Sequence, residues 1–157
     1  MLGGQAQSCR LNGGRNDGFA TFLQMWPRVN GLRAFSFGRP GEMRDRLTDA
    51  ALAGEKIATG ALLQQEYLDQ QESVELPGER QVLLGGDGAT AAIVEITRVE
   101  THRFLDVPWE FARDEGEGFT SIEHWRTGHR SYYEREGIDV SDDALFVCVW
   151  FRILADQ

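Results

Sequence analysis

The sequence predicts an α+β domain in which helices are inserted among the strands of a small mixed or barrel-like sheet. Strand-like apolar runs in the second half are separated by helical segments, without a regular βαβ repeat. The length of 157 residues, 41% of them hydrophobic and 26% charged, suits one domain. The glycine-rich first 18 residues lack the apolar run of a signal peptide. We therefore expect a flexible lead-in over residues 1–18, one domain over residues 19–157, and a cytoplasmic location.

Apolar spacing predicts two helices in the first half of the domain. Residues 19–26 carry apolar side chains on one helical face and are followed by Pro27. A second helix is predicted between Pro40 and Gly54, with Met43 and Leu47 on its buried face. Residues 61–67 are predicted to add a short third helix, followed by a loop to residue 80.

The second half of the chain reads as strand, turn, strand, two helices and a final strand. Residues 81–104 contain two β-rich runs around the glycine-rich turn 85–88. A short helix is predicted over residues 108–113. Thr120 and Glu123 have the spacing of a capping box and predict a longer helix that ends at Gly137. Residues 145–154 are predicted to form a buried strand.

The charge balance weakens any argument for non-specific duplex binding. Sixteen Lys and Arg stand against twenty-five Asp and Glu, which gives a formal net charge of −9. A field of this sign repels polyanions, so nucleic-acid binding would need a local basic cleft. Lys56 is the single lysine among fifteen arginines, and lysine is the basic side chain whose protonation is readily tuned for catalysis.

Lys56 and Thr59 are three residues apart, so a tight bend would place their side chains on the same side. A hydroxyl needs an adjacent base to act as a nucleophile, and an amine in a cleft can be that base or stabilise an oxyanion. The alternative is a lysine that hydrogen-bonds the last carbonyls of the preceding helix.

Two carboxylates alternate with glycines in Glu115-Gly-Glu117-Gly. Glu117 is predicted to reach into a pocket, whereas Glu115 is the better candidate for meeting the N-terminus of the following helix. On that helix, Trp125, Arg126, His129 and Arg130 either stack on and contact RNA or form a core-facing stripe with a solvated arginine face. His124 and His129 lack zinc-site spacing, and neither Cys9 nor Cys148 has catalytic character.

Several segments occur in an order that resembles the ASCH-domain proteins, which have a PUA-like fold with a small β-barrel, flanking helices and a central cleft. The segments are Phe35-Ser-Phe-Gly38, Ala53-Gly-Glu-Lys-Ile-Ala-Thr59, Glu115-Gly-Glu-Gly118, Trp125-Arg126 with His129, Cys148 and Phe151-Arg152. The resemblance covers roughly residues 20–155. It implies RNA binding and, in some relatives, hydrolysis of RNA or of the amide of N4-acetylcytidine.

The resemblance assigns roles to individual residues. Lys56, Thr59 and Glu117 match the catalytic set of the amidohydrolase-type relatives. Glu115, Trp125, Arg126, His129 and Arg130 are the expected substrate-binding residues. We expect Lys56 to line the main cleft within reach of Thr59 and of Glu115 or Glu117, with Glu115→Gln milder than Glu117→Gln.

Three functions follow in order of preference. The first is a hydrolase that cleaves single-stranded RNA, the second an amidohydrolase of N4-acetylcytidine-type nucleosides, and the third a non-catalytic RNA- or nucleotide-binding module. The expected partner is RNA or a nucleoside or nucleotide, and not a membrane. No cofactor is expected and no metal site is predicted, although RNA cleavage could employ a divalent metal.

Overall fold

The computed structural model describes residues 26–155 and arranges them around one mixed six-stranded sheet. The strands are β1 (Arg28–Val29), β2 (Leu32–Phe35), β3 (Ala58–Leu62), β4 (Arg80–Leu84), β5 (Thr90–Arg103) and β6 (Leu145–Ile153). The helices are α1 (Glu42–Leu52), α2 (Trp109–Asp114) and α3 (Ile122–Arg135). A π-helical turn spans Gln64–Leu68, and a 3-10 turn spans Phe104–Asp106.

The strand order is β1-β2-β4-β5-β6-β3, which leaves β1 and β3 at the two edges. Strands β2 and β4 are parallel, and the other neighbouring pairs are antiparallel. Within residues 26–155 no pairing joins β1 to β3, so the barrel-like sheet is open. The predicted α+β class with a small mixed sheet is confirmed.

Strand β6 is buried on both faces, which explains its nearly continuous apolar sequence. Its residues alternate between two cores because successive side chains point to opposite faces of a sheet. Val147, Val149 and Phe151 pack on the α1 side, whereas Phe146, Cys148 and Trp150 pack against α2 and α3. The sheet therefore separates two apolar layers, and Cys148 is a buried core thiol.

Most of the elements predicted from the sequence are confirmed. Helix α1 lies between Pro40 and Gly54, and β4 and β5 form the hairpin around residues 85–88. Helices α2 and α3 and strand β6 also lie where apolar periodicity places them. The predicted lead-in, most of the helix over residues 19–26, and Cys9 lie outside the described residues.

Two local predictions were wrong, one of them only in part. The short helix predicted over residues 61–67 is confirmed only in part: Ala61 and Leu62 belong to β3, which pairs along its whole length with β6, and the helical turn spans Gln64–Leu68. The N-cap of α3 is Ser121, not Thr120: its backbone is extended and its hydroxyl accepts the His124 amide. Thr120 instead lies one residue outside the helix, with its amide against the His124 ring.

Gly60 fixes how closely β3 passes the rest of the fold. A Cβ at this position would lie 2.4 Å from the Phe146 ring, 2.7 Å from the Val147 carbonyl and 2.8 Å from the Phe111 ring. Only glycine fits such an approach. As a result β3, and Lys56 just before it, lie directly against the end of α2.

Candidate functional site

Lys56 lies in the short connection between α1 and β3, and its side chain is completely buried. Its Nζ donates to the Ala58 carbonyl at 2.8 Å, the Glu115 carbonyl at 3.3 Å and the Glu117 Oε2 atom at 3.2 Å. It also lies 5.0 Å from the centroid of the Phe37 ring. Three acceptors match the three protons of an ammonium group, so the geometry suits the charged form.

Gly116 allows the Glu115–Gly118 segment to dock against the backbone next to Lys56. Its φ of +65° lies in the left-handed region, and an added Cβ would lie 2.1 Å from the Glu55 carbonyl oxygen. This contact brings Glu117 to Lys56 across 61 positions in sequence. The side chain of Glu117 is fully buried in the resulting ion pair.

Glu115 is a second buried carboxylate beside the same lysine. Its Oε1 accepts the Trp125 indole N–H at 2.5 Å, and its Oε2 lies 3.8 Å from the Lys56 ammonium. Burial acts to raise the pKa of this carboxyl, but the His129 ring, the Lys56 charge and the Trp125 indole together hold it below its ordinary value. The prediction that Glu115 meets the N-terminus of the next helix was therefore wrong.

Trp125 and His129 lie in the interior beneath Glu115. Their exposed fractions are 0% and 1%, and their rings stack at a centroid distance of 3.9 Å. His129 Nδ1 donates to the Trp125 carbonyl at 2.9 Å, and Nε2 lies 3.5 Å from Glu115 Oε1. Because both rings are buried against Glu115, they hold this carboxylate in place and present no surface on which a base could stack.

Arg126 and Arg130 join α3 to the loops that flank β5 and β6. Arg126 Nη2 donates to the Leu105 carbonyl at 2.6 Å. The Arg130 guanidinium lies 4.9 Å from the Phe104 ring centroid and pairs with Asp142. The structure thus engages both arginines in contacts within the chain.

Thr59 lies on β3, where it pairs with Val149, and it is 5% exposed. Its hydroxyl is buried and has no hydrogen-bond partner. A buried polar group in this state costs about 1–3 kcal/mol. Such a cost at a position three residues from Lys56 in the sequence is a signal of function, because a ligand can supply the missing partner.

A cleft of about 680 Å³ opens between α1 and the Glu115–Gly118 segment. Glu117, Gly116 and Glu55 form one wall, and α1 forms the other. The lining residues include five acids and one arginine, namely Glu42, Asp45, Asp49, Glu55, Glu117 and Arg46, and of the five carboxylates that of Glu117 is buried against Lys56. Lys56 itself borders a smaller neighbouring groove and lies behind Glu117. The prediction that Lys56 lines the main cleft was therefore wrong.

The acids that α1 contributes were not predicted as part of a site. Glu42, Asp45 and Asp49 recur at intervals of three and four residues, which places them on one helical face. That spacing was the available signal, although the same pattern is typical of a solvated helix surface. Among residues 26–155, no group of three or more His, Cys, Asp or Glu side chains is arranged to hold a metal ion.

Comparisons with known proteins agree with this architecture. The structure of protein EF3133 from Enterococcus faecalis V583, assigned to DUF984, is 25% identical, with a TM-score of 0.70 and coverage of 82% of this chain and 79% of that one. An ASCH domain from Lactobacillus crispatus JV V101 is 32% identical, with a TM-score of 0.65 and coverage of 76% and 77%. Hypothetical protein PH0355, at 19% identity and a TM-score of 0.51, covers 70% of this chain and 93% of its own and shares the fold.

The comparison with curated proteins found no match. No helix within residues 26–155 has the length and apolar character needed to cross a bilayer. The expected PUA-like fold is confirmed by its structural neighbours. The sequence model of the ASCH domain matches residues 33–155, which is most of the chain. The chain therefore belongs to the ASCH domain family.

Proposed function

We propose that this protein is an amidohydrolase that acts on N4-acylated cytidine-type nucleosides. One observation carries the proposal: the buried Lys56–Glu117 pair, at 3.2 Å, lies behind a wall of the acidic cleft, and Glu117 contributes to that wall. Thr59 is three residues from Lys56, with a buried hydroxyl that lacks a partner. These are the three residues that the family resemblance assigns to amide hydrolysis.

The charge of the cleft favours a small neutral ligand over RNA. Four exposed carboxylates and one arginine line the cleft, which opposes the approach of a phosphate backbone. A nucleoside carries no phosphate, and its ribose hydroxyls can donate hydrogen bonds to carboxylates.

The arginines on the surface support the same choice. Six of them pair with acids of this chain: Arg39 with Glu136, Arg98 with Glu100 and Glu110, Arg103 with Asp106 and Asp143, Arg113 with Asp114, Arg130 with Asp142, and Arg152 with Glu95. A guanidinium paired in this way contributes little to the counterion release that drives RNA binding. RNA cleavage was the first expectation from the sequence. It ranks second here because of these charges, and it stays the alternative because members of the ASCH family generally bind RNA.

The proposed reaction begins with water activated by Glu117. The carboxylate takes a proton from water as the oxygen forms a bond to the amide carbon, and the Lys56 ammonium stabilises the oxyanion that develops. The Thr59 hydroxyl donates to the substrate. Glu117 then returns the proton to the N4 nitrogen as the C–N bond breaks, which releases cytidine and a carboxylic acid.

Glu117 must turn toward the cleft for this step, because its side chain is fully buried against Lys56 in the present structure. Its glycine neighbours have φ values of +65° and +88°. An added Cβ at Gly118 would contact nothing within 4 Å, so the segment has open space on that side. The backbone around Glu117 is thus placed to reorient the carboxylate.

Hydrolysis of N4-acetylcytidine by the purified protein tests the proposal, with cytidine release followed by chromatography. Glu117→Gln keeps the shape of the side chain and is expected to lower turnover by roughly 10²–10⁴-fold, the usual contribution of a general base. Glu123→Gln, a change at an exposed acid in the first turn of α3, is the matched control and is expected to retain full activity.

Two outcomes would contradict the proposal. One is a wild-type protein that releases no cytidine, and the other is a Glu117→Gln variant that keeps turnover within a few-fold of wild type. A parallel incubation with single-stranded RNA decides the alternative. Cleavage of RNA without hydrolysis of the nucleoside would assign the site to RNA.

A further inference from the structure

A second hollow, of about 330 Å³, lies beside the Lys56–Glu117 pair and differs in character from the acidic cleft. The C-terminal end of α1, the segment before β3 and the end of β6 form its walls. Most of the side chains that line it are apolar: Ala51, Leu52, Ala53, Ile57, Phe151 and Ile153. We refer to it as the apolar groove.

The apolar groove exposes large hydrophobic side chains to solvent. Leu52 is 49% exposed and Ile57 is 40% exposed, and both line the same concavity. Single exposed apolar residues are ordinary, but two that face one hollow form a surface that a ligand can cover. Arg152, a charged residue of the wall, is paired through Nε with Glu95 at 2.8 Å.

The apolar groove and the acidic cleft meet at the turn that carries the lysine. Ala53 lines both hollows. Lys56 borders the groove, whereas its ion-pair partner Glu117 borders the cleft. A molecule that lies across the exposed turn at Ala53 would therefore place a polar part in the cleft and an apolar part in the groove.

We propose that the apolar groove is the subsite for the acyl group of the substrate, and that it selects acyl groups longer and more apolar than acetyl, such as butanoyl. This inference rests on the proposed amidohydrolase function. The nucleoside occupies the acidic cleft, the acyl chain covers Leu52 and Ile57, and the scissile amide lies over the turn in front of Lys56 and Glu117.

The expected preference follows from the area that the chain removes from water. Each methylene that is fully buried favours binding by about fourfold. The groove is open on one side, so the three further carbons by which a butyl group exceeds a methyl group are expected to gain about tenfold in place of the full sum. An alkyl chain that touched only one exposed side chain would gain much less affinity than one that lies along the groove.

Binding of non-hydrolysable analogues tests the subsite without requiring turnover. Calorimetry compares N4-methylcytidine with N4-butylcytidine, whose alkyl groups take the place of the acyl group. We expect the butyl analogue to bind about tenfold more tightly to the wild type. Leu52→Asn is expected to reduce that ratio to within about threefold, because it removes an apolar wall at an exposed position.

Leu76→Asn is the matched control, since Leu76 is 74% exposed and does not line the groove. Equal affinities for the two analogues, no measurable binding of either, or the same loss in Leu76→Asn would overturn the subsite. Hydrolysis of N4-acetyl- and N4-butanoylcytidine separates the two proposals. Chain-length-dependent binding without hydrolysis leaves the subsite standing and removes the amidohydrolase, whereas hydrolysis without any chain-length preference does the reverse.

Discussion

Two buried ionic clusters stabilise opposite parts of this sheet, and they differ in the cation at their centre. At one end, Arg33 binds Glu79 through two hydrogen bonds of 2.8 and 2.6 Å and the Ser73 carbonyl at 2.6 Å. Nearby Arg28 pairs with Glu72, and together they tie β1 and β2 to the loop before β4. At the other end, Lys56 holds Glu115 and Glu117 beside the acidic cleft.

The comparison shows that burial of charge does not by itself mark a functional site. A guanidinium has a fixed fork of donors that matches a carboxylate and retains its proton, which suits a permanent structural contact. Lysine presents a point charge whose proton can be lost in a suitable environment. What distinguishes the Lys56 cluster is the neighbouring cleft and the buried Thr59 hydroxyl without a partner.

The largest expected effect is the loss of stability when either central cation is removed. Lys56→Met leaves two buried carboxylates without their ammonium, and Arg33→Met leaves Glu79 without its guanidinium, while Glu72 keeps its pair with Arg28. Removal of one partner from a buried ion pair typically costs about 3–5 kcal/mol. We expect urea denaturation to show losses of this order for both variants, and nucleoside hydrolysis to be lost only in Lys56→Met.

Arg80→Met is the control for the pair, because Arg80 is an exposed strand residue. It is expected to change stability by less than about 0.5 kcal/mol. If folded Arg33→Met protein also lost hydrolysis, or if Lys56→Met kept it, the distinction between the two clusters would be wrong.

A smaller effect is expected when the charge left by Lys56→Met is removed. The double variant Lys56→Met/Glu117→Gln buries one carboxylate fewer, so it is expected to regain about 1–2 kcal/mol of the lost stability. Activity is not expected to return. The matched double variant Lys56→Met/Glu123→Gln is expected to regain no stability. Equal recovery of stability in both double variants would show that Glu117 does not interact with Lys56.

Local patterns in the sequence predicted most of the fold. Helix α1, the β4–β5 hairpin and strand β6 each follow from apolar spacing and turn residues within one segment. The wrong start of the helix predicted over residues 61–67 has a non-local cause, since Ala58–Leu62 forms a strand by pairing with β6. The sequence of residues 58–62 contains no local pattern that indicates pairing with β6.

The candidate site was predictable in part. The sole lysine and the family motifs pointed to Lys56 and Glu117, but their contact across 61 residues depends on the close approach of Gly116 to Glu55. The interior position of Trp125 and His129 was anticipated by the helical stripe as one of two alternatives. The proximity of Glu115 to Lys56 was one of the expected outcomes, but the contacts of Glu115 with Trp125 and His129 were not predicted, because they depend on side chains from α3 that fold against it.

Two buried glutamates, Glu115 beside Lys56 and Glu75 near Arg33, are also expected to respond to acid with opposite signs. In the Lys56 cluster, Glu115 has a pKa below its ordinary value, so its ionised form stabilises the fold above the unfolded pKa of about 4.3. That contribution is lost as the pH falls through the folded pKa. Near the Arg33 cluster, burial raises the pKa of Glu75, although its hydrogen bond with Tyr67 and the charge of Arg33 act to lower it.

Because the folded pKa of Glu75 is raised, its contribution is most favourable below the unfolded pKa and is lost as the pH rises through the folded value. Glu75→Gln is therefore expected to raise stability at pH 7 and to lose that advantage toward pH 4. Glu115→Gln is expected to lower stability at pH 7, with a cost that shrinks as the pH falls. Denaturation across pH 4–7 measures both, and parallel curves for the two variants would contradict the assignment.

The smallest effect on stability is expected at Thr59, where it separates a functional hydroxyl from a structural one. Thr59→Val removes a buried hydroxyl that has no partner, so stability should be unchanged or rise by up to about 1 kcal/mol. Thr48→Val is the matched control: Thr48 has the same exposed fraction of 5%, but its hydroxyl donates to the Arg44 carbonyl at 2.7 Å. That variant is expected to lose about 1 kcal/mol and to keep its hydrolytic activity.

Thr59→Val, in contrast, is expected to lower turnover of the N4-acylated nucleoside at least tenfold, because the substrate loses its hydrogen-bond donor. A Thr59→Val protein that loses stability as Thr48→Val does, and keeps full turnover, would show that the hydroxyl serves the fold and not the ligand.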